Sequence, residues 1–400
     1  MKNIDKLYIN GGKPVRDTYL PYGKQEIDDE DIQAIINVLK SDYLTTGPTI
    51  LQFERAVAEY VDAKYAVAFA NGTGALHGAC FAAGIQESDE VITTPMTFVS
   101  SSNCILYQRG KPVFADIDPR TYNISPLSIK KLITKKTKAI IPVDFTGQPA
   151  DLDEIQYLAN QFNLVIIEDA AHAIGATYKG RKIGSISDMT MFSFHPVKHI
   201  TTGEGGIITT NNKEYYEKLI QFRSHGITRE QNQLSENHGP WYYEMQFLGF
   251  NYRMTDLQAG LGISQLKKLD RFIKIRNKYV DMYNKAFQEV KEVTLPYQLA
   301  NCQSNWHLYI IRLDLEQLKI GRKEIFEALQ KENIGINVHY IPVYLQPYYQ
   351  KLGYKKGICP NAEKLYAEII TLPLFPGMSD SDVRDVIKAV LKVIINYKKT

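Results

Sequence analysis

The chain has 400 residues, of which 44% are apolar, and its 47 lysine and arginine residues against 44 aspartate and glutamate residues give a formal net charge of +3. This near balance lacks the strongly basic character of proteins that bind nucleic acids or membrane surfaces, so we expect neither partner. The length allows one large domain and a smaller second one.

Neither the cysteines nor the start of the chain indicates export. Cys80, Cys104, Cys302 and Cys359 have the spacing of neither a metal site nor a disulfide framework, so we expect no bound metal and a reducing, cytoplasmic location. The stretch 1–6 is too charged for a signal peptide, and the absence of any run of about 18 apolar residues predicts no membrane-spanning helix.

The first half of the chain alternates predicted strands with predicted helices. Because such alternation produces a mostly parallel sheet covered by helices, we expect an α/β fold. Ligands collect at the carboxyl ends of strands in these sheets, where Asn71, Pro95, Asp144 and Asp169 lie. Helices are predicted over 28–41, 49–62, 99–108, 125–134 and 151–160, with an alanine-rich helix ending near 83, and strands over 65–69, 91–94, 112–117, 139–145, 164–168, 189–194 and 207–210.

The second half of the chain has a different pattern. Residues 223–254 are long and irregular, and such a loop is usually functional or part of an interface. One long helix over 255–287 is expected to bridge two domains. A small α+β domain follows, with strands predicted over 307–313 and 336–340 and helices over 321–332, 361–370 and 380–396. We therefore predict a large domain over 1–265, with 1–40 packed beside the small domain, and a small domain over 266–400.

One turn carries the strongest chemical signal. Lys198 lies between two β-prone runs, among glycines and small residues that let a backbone approach a ligand closely. A buried-type strand upstream ends in Asp169, and His172 follows it. A lysine that forms a Schiff base and an aspartate that pairs with a pyridinium nitrogen are the minimal pair that holds pyridoxal 5′-phosphate.

A glycine-containing stretch, 71–75, leads from a predicted strand into a predicted helix. Backbone N–H groups at a helix start bind phosphate without needing a particular side chain. The stretch is not a GxGxxG fingerprint, and the chain has no GK[ST] sequence, so the pattern does not indicate dinucleotide binding or NTP hydrolysis.

Each of these residues also has an ordinary structural interpretation. Lys198 is compatible with a solvated surface lysine, Asp169 with a helix cap, and His172 with a packed core histidine. The stretch 71–75 is compatible with a plain strand-to-helix turn. It is their occurrence together that favours a cofactor site.

These stretches resemble the DegT/DnrJ/EryC1/StrS sugar aminotransferases, a family of fold-type-I pyridoxal phosphate enzymes, from about Tyr22 to about Pro376. The runs 194–206 and 249–254 carry the resemblance. It implies the fold of a type I pyridoxal phosphate-dependent transferase, with a large domain built on a mostly parallel sheet and a smaller C-terminal α+β domain. It also implies a homodimer whose active site is shared between subunits.

The resemblance is nearest to the branch of the family that serves pseudaminic acid synthesis. It implies a ping-pong transfer of the amino group of L-glutamate to C4 of a UDP-linked 4-keto-6-deoxy-2-acetamido sugar, giving UDP-4-amino-4,6-dideoxy-N-acetyl-β-L-altrosamine. Enzymes that make 4-amino-arabinose and bacillosamine carry similar stretches, so those sugars and a dTDP-sugar are alternatives. Family members that dehydrate sugars have histidine in place of the lysine, which Lys198 argues against. A non-catalytic regulator would have lost catalytic groups, and none is missing here.

The resemblance also assigns roles to single residues. It makes Lys198 the proton shuttle, pairs Asp169 with the pyridine nitrogen and places His172 near the phenolic oxygen of the cofactor. Many relatives carry a hydroxyl at the place of Gly74, so the phosphate is expected to depend more on backbone amides, Ser193 and Asn251 of the neighbouring subunit. The remaining implied cofactor contacts are Gly72, Thr73 and Phe98, and the implied substrate contacts are Tyr22, Asp42, Tyr43, Leu44, Thr45, Asn71, Val338, His339, Tyr340 and Ile341.

Overall fold

A computed structural model describes residues 6–399 of the chain. Most of the charged stretch 1–6 lies outside the described residues. Within the described part, no helix is both long and apolar enough to cross a membrane.

The described chain contains thirteen α-helices, and most begin where the sequence pattern predicts. Asp28 starts the first of them because its side chain accepts hydrogen bonds from the N–H groups of Glu30 and Asp31. The Asp31 side chain accepts the N–H of Asp28 in return, which completes a capping box. The helices are α1 (Asp29–Leu39), α2 (Pro48–Tyr60), α3 (Gly72–Ala82), α4 (Ser100–Tyr107), α5 (Pro126–Leu132), α6 (Leu152–Phe162), α7 (Lys213–Phe222), α8 (Asp256–Leu266), α9 (Leu269–Phe287), α10 (Arg322–Lys331), α11 (Pro347–Lys351), α12 (Pro360–Glu368) and α13 (Asp380–Tyr397).

Fifteen strands form one large sheet and three small ones in the described residues. The strands are β1 (Tyr65–Phe69), β2 (Glu90–Thr93), β3 (Lys111–Phe114), β4 (Thr137–Ile141), β5 (Val165–Asp169), β6 (Thr177–Tyr178), β7 (Arg181–Lys182), β8 (Met189–Ser193), β9 (Gly206–Thr210), β10 (Ile227–Thr228), β11 (Glu244–Met245), β12 (Val293–Thr294), β13 (Cys302–Gln303), β14 (Tyr309–Leu313) and β15 (Ile369–Leu372).

The large sheet has seven strands in the order β1-β9-β8-β5-β4-β2-β3. Strands β2, β3, β4, β5 and β8 run parallel, whereas β9 is antiparallel to both of its neighbours, β8 and β1. The predicted mostly parallel sheet is therefore confirmed. The reversal at β9 brings the loop 194–205, which contains Lys198, to the carboxyl ends of β5 and β8.

Several sequence-based boundaries were wrong, among them three in the second half of the chain. The helix predicted over 255–287 is two helices, because the chain breaks before Leu269 and the side chain of Lys268 turns inward to form ion pairs with Asp28 and Asp31. The strand predicted over 336–340 is extended chain with a single bridge from Asn337 to Thr371. The helix predicted over 361–370 ends at Glu368, and Ile369 begins strand β15.

Separate hydrophobic clusters lie in the two halves of the chain. Buried residues on both faces of the large sheet form two of them, and a third joins α9, α13 and the sheet β12-β14-β15. Leu7 and Leu20 belong to this third cluster, so the N-terminal segment packs on the C-terminal part of the chain. The domain boundary at 265/266 stays a prediction.

A buried charge fixes the N-terminal segment on the C-terminal part. Both carboxylate oxygens of Glu332 accept a hydrogen bond from Nζ of Lys392, at 2.9 and 3.0 Å, and both residues are buried. Glu332 also accepts the N–H groups of Tyr8 and Val15, and Lys392 donates to the carbonyl of Lys13. This ion pair therefore links α10 and α13 to the N-terminal segment.

Removing one partner of this pair is expected to destabilise the protein. Lys392→Ala would leave the Glu332 carboxylate buried without a counter-charge, which typically costs about 3 kcal/mol. The matched control is Lys388→Ala, on the exposed face of the same helix. Thermal denaturation of both variants checks this. Equal melting temperatures for the two variants would contradict the structural role of the pair.

Candidate active site

A cavity of about 970 Å³ opens where the carboxyl ends of β5 and β8 meet the start of α3. Thirteen of the predicted site residues line it, namely Lys198, Asp169, His172, Gly72, Thr73, Gly74, Phe98, Ser193, Tyr22, Asn71, Val338, His339 and Tyr340. The other six do not line it and are exposed, namely Asn251, Asp42, Tyr43, Leu44, Thr45 and Ile341. The chain alone thus brings most of the predicted site together.

Lys198 lies in the wall of the cavity on the loop between β8 and β9. Its N–H donates to the carbonyl of His195, which closes the turn. Burial lowers the pKa of its amine to about 8, against the opposing effect of the Asp169 carboxylate. A lysine with such a pKa is neutral in a useful fraction of molecules near neutral pH, so it can act as a base or a nucleophile.

Asp169 ends β5 and is buried at the floor of the cavity. One carboxylate oxygen accepts the hydroxyl of Ser101 at 2.5 Å, and the other accepts the N–H of Ala171 at 3.1 Å. Burial raises the pKa of the carboxyl, whereas Ser101, Ala171 and Lys198 act in the opposite direction. The Ser101 hydroxyl thus fixes the direction in which Asp169 faces.

Three buried histidines lie near Lys198. The ring of His172 lies 4.3 Å from that of His307, measured between centroids, and Nε2 of His172 lies 3.3 Å from the hydroxyl of Tyr340. His199 has its Nε2 2.9 Å from the carbonyl of Asn305. Burial lowers the pKa of each of the three rings, so they are neutral at physiological pH.

The start of α3 offers unpaired backbone donors to the cavity. Within residues 6–399, the N–H groups of Gly72 and Thr73 have no acceptor, while that of Gly74 is bonded to the side chain of Asn71 at 2.8 Å. A Cβ on Gly206 would lie 2.6 Å from Cα of Gly72, so β9 packs directly against this turn. Free N–H groups at a helix start, held in a tight backbone contact, form a ready anion site.

Tyr252 covers the other side of this turn. A Cβ on Gly74 would lie 3.2 Å from its ring, and its hydroxyl is 3.5 Å from Nδ1 of His77, whose pKa burial lowers to about 4. The carbonyl of Tyr252 accepts the N–H of Ala70, which ties the 249–254 segment to the end of β1. The ring of Tyr252 thus occupies space near the position of a side-chain hydroxyl on residue 74.

The C-terminal wall of the cavity is formed by extended chain around Asn337 and His339. Nε2 of His339 lies 3.3 Å from Nδ2 of Asn337, and Nδ1 lies 2.8 Å from the hydroxyl of Thr371. The ring contacts those of Tyr22 and Tyr340, with centroid distances of 5.4 and 4.8 Å. Both ring nitrogens of His339 are therefore hydrogen-bonded to other residues of the protein.

Sequence reasoning missed several residues of the site. Ser101 follows Phe98 in a run of serines that could have signalled a hydroxyl near the cavity. Tyr252 stands inside the recognised run 249–254, yet only its neighbour Asn251 was singled out. Asn337 and His307 gave no signal, because polar residues in apparent strands are common. The cavity is also lined by Thr97, Ser100, Tyr107, Val143, Ala171, Met191, His195, Val197 and Glu204.

No group of three or more histidine, cysteine, aspartate or glutamate residues within 6–399 is arranged to hold a metal ion. The four cysteines are all buried and unpaired.

Comparison with known proteins gives consistent matches over nearly the whole chain. Residues 25–391 match the model of the DegT/DnrJ/EryC1/StrS aminotransferase family. The chain is 44% identical over 381 residues to the spore coat polysaccharide biosynthesis protein SpsC of Bacillus subtilis, covering 95% of this chain and 98% of that protein. It is 37% identical over 383 residues to the UDP-4-amino-4,6-dideoxy-N-acetyl-β-L-altrosamine transaminase of Campylobacter jejuni, covering 95% and 99% of the two chains.

One solved structure is similar over nearly the whole chain as well. Helicobacter pylori PseC, described as an aminotransferase involved in the biosynthesis of pseudoaminic acid, matches with a TM-score of 0.88 at 33% identity. The match covers 95% of this chain and 100% of that chain.

The lowered pKa of Lys198 is directly measurable. In cofactor-free protein, acylation of Lys198 by trace acetic anhydride should rise with a midpoint near pH 8, because only the neutral amine reacts. The pKa of a free lysine side chain is about 10.4. Asp169→Asn should move the midpoint still lower, since the carboxylate favours the charged amine, whereas the exposed Asp153→Asn should not. Mass spectrometry of the labelled peptide measures the extent of acylation at each pH. A midpoint at or above that of free lysine would contradict the lowered pKa of Lys198.

Proposed function

The chain belongs to the DegT/DnrJ/EryC1/StrS aminotransferase family and is a pyridoxal 5′-phosphate-dependent sugar aminotransferase, and on that premise we propose its substrates. The amino donor is L-glutamate, and the acceptor is a UDP-linked 4-keto-6-deoxy-2-acetamido sugar that is aminated at C4. The product is UDP-4-amino-4,6-dideoxy-N-acetyl-β-L-altrosamine, an intermediate of pseudaminic acid. The support is the similarity to the Campylobacter jejuni transaminase and to PseC.

The observation that carries the catalytic part of the proposal is the joint placement of Lys198, Asp169 and the free amides of α3 around one cavity. The cavity volume of about 970 Å³ is at the upper end of the usual range for ligand sites, so it has room for a cofactor and a sugar together. These residues fit the cofactor: among residues 6–399, Nδ1 of His172 is buried without a hydrogen-bond partner, and no acceptor binds the N–H groups of Gly72 and Thr73.

Groups at one end of the cavity would hold the anionic end of the cofactor. The Gly72 and Thr73 N–H groups would donate to its phosphate, and the hydroxyl of Ser193 at the end of β8 would add a side-chain donor. Phe98, of which 58% is exposed, would offer an aromatic face to the cofactor ring. When bound, the cofactor acts as an electron sink and carries the amino group from donor to acceptor.

Lys198 moves the protons. Its Nζ removes the proton from the α-carbon of the amino donor and later returns a proton to C4 of the sugar. A pKa of about 8 suits both directions, because the amine gains and loses a proton near neutral pH. Asp169 would place its negative charge against the ring nitrogen of the cofactor, and the Ser101 hydroxyl orients that carboxylate.

The proposed site is completed by a second copy of the chain. Asn251 is exposed and lies outside the cavity of its own chain, and the stretch 223–254 that carries it also exposes apolar side chains such as Trp241 and Leu248. Among the described residues that line the cavity, Lys198 is the only lysine or arginine, so a diphosphate needs cationic or amide donors from elsewhere. We infer that Asn251 and its loop supply donors to the cavity of the partner subunit in a homodimer.

The substrate is tested by offering the protein L-glutamate and a panel of UDP- and dTDP-linked 4-keto sugars. Mass spectrometry should show nitrogen gained by the UDP-linked 4-keto-6-deoxy-2-acetamido sugar, and Lys198→Ala should give no product because no base remains at the reacting carbon. Amination of a 4-amino-arabinose, bacillosamine or dTDP-type precursor in its place would reassign the substrate. Activity in Lys198→Ala equal to that of the unchanged protein would overturn the catalytic assignment.

The shared site is tested by mixing two defective homodimers. After subunit exchange, Lys198→Ala and Asn251→Ala chains form heterodimers in which one site has both residues intact and the other carries both lesions. Turnover should therefore be regained, and it is best scored at limiting cofactor, where loss of one phosphate donor matters most. Heterodimers that are confirmed by mass spectrometry but show no gain would mean that each site is built within one chain.

A further inference from the structure

We propose that Asn337 is a specificity-determining residue that donates a hydrogen bond from its side-chain amide to an oxygen of the sugar substrate, and that His339 and Thr371 hold it in position. The inference rests on the proposed function of the same cavity. It concerns a residue that lines the cavity beside Val338, His339 and Tyr340.

Two main-chain hydrogen bonds hold the backbone of Asn337 in place. Its N–H donates to the carbonyl of Thr371 at 3.2 Å, and the N–H of Thr371 donates to the carbonyl of Asn337 at 2.8 Å. Thr371 lies in the buried strand β15. The extended segment that carries Asn337 is thus attached to the small C-terminal sheet on both sides of the residue.

The orientation of the amide follows from its neighbours. The N–H of Val338 donates to Oδ1 of Asn337 at 2.8 Å, so the other amide atom, which faces His339, is Nδ2. An amide nitrogen only donates, so Nε2 of His339 accepts. The single ring proton of neutral His339 is then on Nδ1, from which it is donated to Oγ1 of Thr371 at 2.8 Å.

This arrangement leaves the His339 ring without a free nitrogen for a ligand. Both of its nitrogens are used, and burial together with the charge of Lys198 lowers the pKa of the ring to about 3. Only its ring faces remain, against Tyr22 and Tyr340. His339 is a positioning residue for Asn337.

Asn337 retains unused hydrogen-bonding capacity at the cavity. One of the two hydrogens on Nδ2 goes to His339, and among the described residues no acceptor takes the other. Oδ1 likewise has a second lone pair. The free hydrogen on Nδ2 matches a hydroxyl or the carbonyl oxygen of an acetamido group, and the free lone pair of Oδ1 matches a hydroxyl. Both groups occur on the proposed sugar.

The first experiment separates the two half-reactions. Asn337→Ala should raise KM for the keto sugar by roughly 3- to 10-fold, the effect of one lost neutral hydrogen bond, while the half-reaction with L-glutamate changes much less. The control Asn160→Asp, an exposed amide on α6, should leave both unchanged. Equal losses in both half-reactions, or an unchanged sugar KM, would overturn the inference.

The second experiment uses cofactor-free protein and no turnover. Asn337→Asp places a carboxylate oxygen where the amide donor stood, and that oxygen needs a proton on Nε2 of His339. The pKa of His339 should therefore rise from about 3 towards or above its ordinary value. NMR titration of the imidazole signals, assigned by their loss in His339→Gln, reads the shift. An unmoved pKa would mean that Nδ2 does not face His339.

The outcomes keep the two proposals apart. If the unchanged protein aminates none of the sugars, the proposed function fails and Asn337 loses its role towards a sugar. If the protein aminates a sugar and Asn337→Ala binds it equally well, the proposed function stands and the inference about Asn337 fails.

Discussion

The close packing of Gly206 against the main chain of Asn71 and Gly72 is the constraint on which the rest of the site depends. A Cβ at Gly206 would lie 2.6–2.7 Å from backbone atoms of the α3 turn, a distance that no side chain tolerates. Gly206 is paired with Ser193 across β8 and β9, so the same residue fixes the two ends of the Lys198 loop. The lysine, the Ser193 hydroxyl and the helix amides are thereby held around one cavity by main-chain geometry.

The charge states of the side chains in the site follow from their burial. Lys198 and Asp169 are opposite charges with a low local dielectric around them, and each favours the charged form of the other. The neighbouring His172 and His307 stay neutral because burial disfavours their protonation. Because these histidines carry no charge, the negative charge of Asp169 is not compensated by them, and the Lys198 amine can exchange protons near neutral pH.

Two peripheral parts of the chain contribute to the cavity. The N-terminal segment is held on the C-terminal part by the Glu332–Lys392 pair, and the carbonyl of Tyr22 accepts the N–H of Leu374 next to the cavity. The irregular stretch 223–254 is fixed at its base, where the buried guanidinium of Arg223 donates to the carbonyl of Ala68 at 2.5 Å and pairs with Glu54. Its tip stays exposed, with Trp241 71% accessible to solvent, which suits the proposed contact with a second subunit.

The sequence by itself determined the fold class, the family, the cofactor and thirteen of the residues that line the cavity. Alternating buried-type strands and amphipathic helices specify a mostly parallel sheet, and the carboxyl ends of its strands had to carry Asn71 and Asp169. Lys198 and Asp169 were identifiable because their chemistry needs those residue types in that context. The capping residue Asp28 was readable because a cap is a local interaction.

Only the tertiary structure decided what depends on contacts between distant parts of the chain. The break before Leu269 arises because Lys268 pairs with Asp28 and Asp31, far away in sequence. Asn337 is placed in the site by its hydrogen bonds to Thr371, and Ser101 by its hydrogen bond to Asp169. No local sequence pattern predicts either contact. Helix and strand patterns express short-range periodicity, whereas the orientation of a buried polar side chain is set by the partners that satisfy its hydrogen bonds.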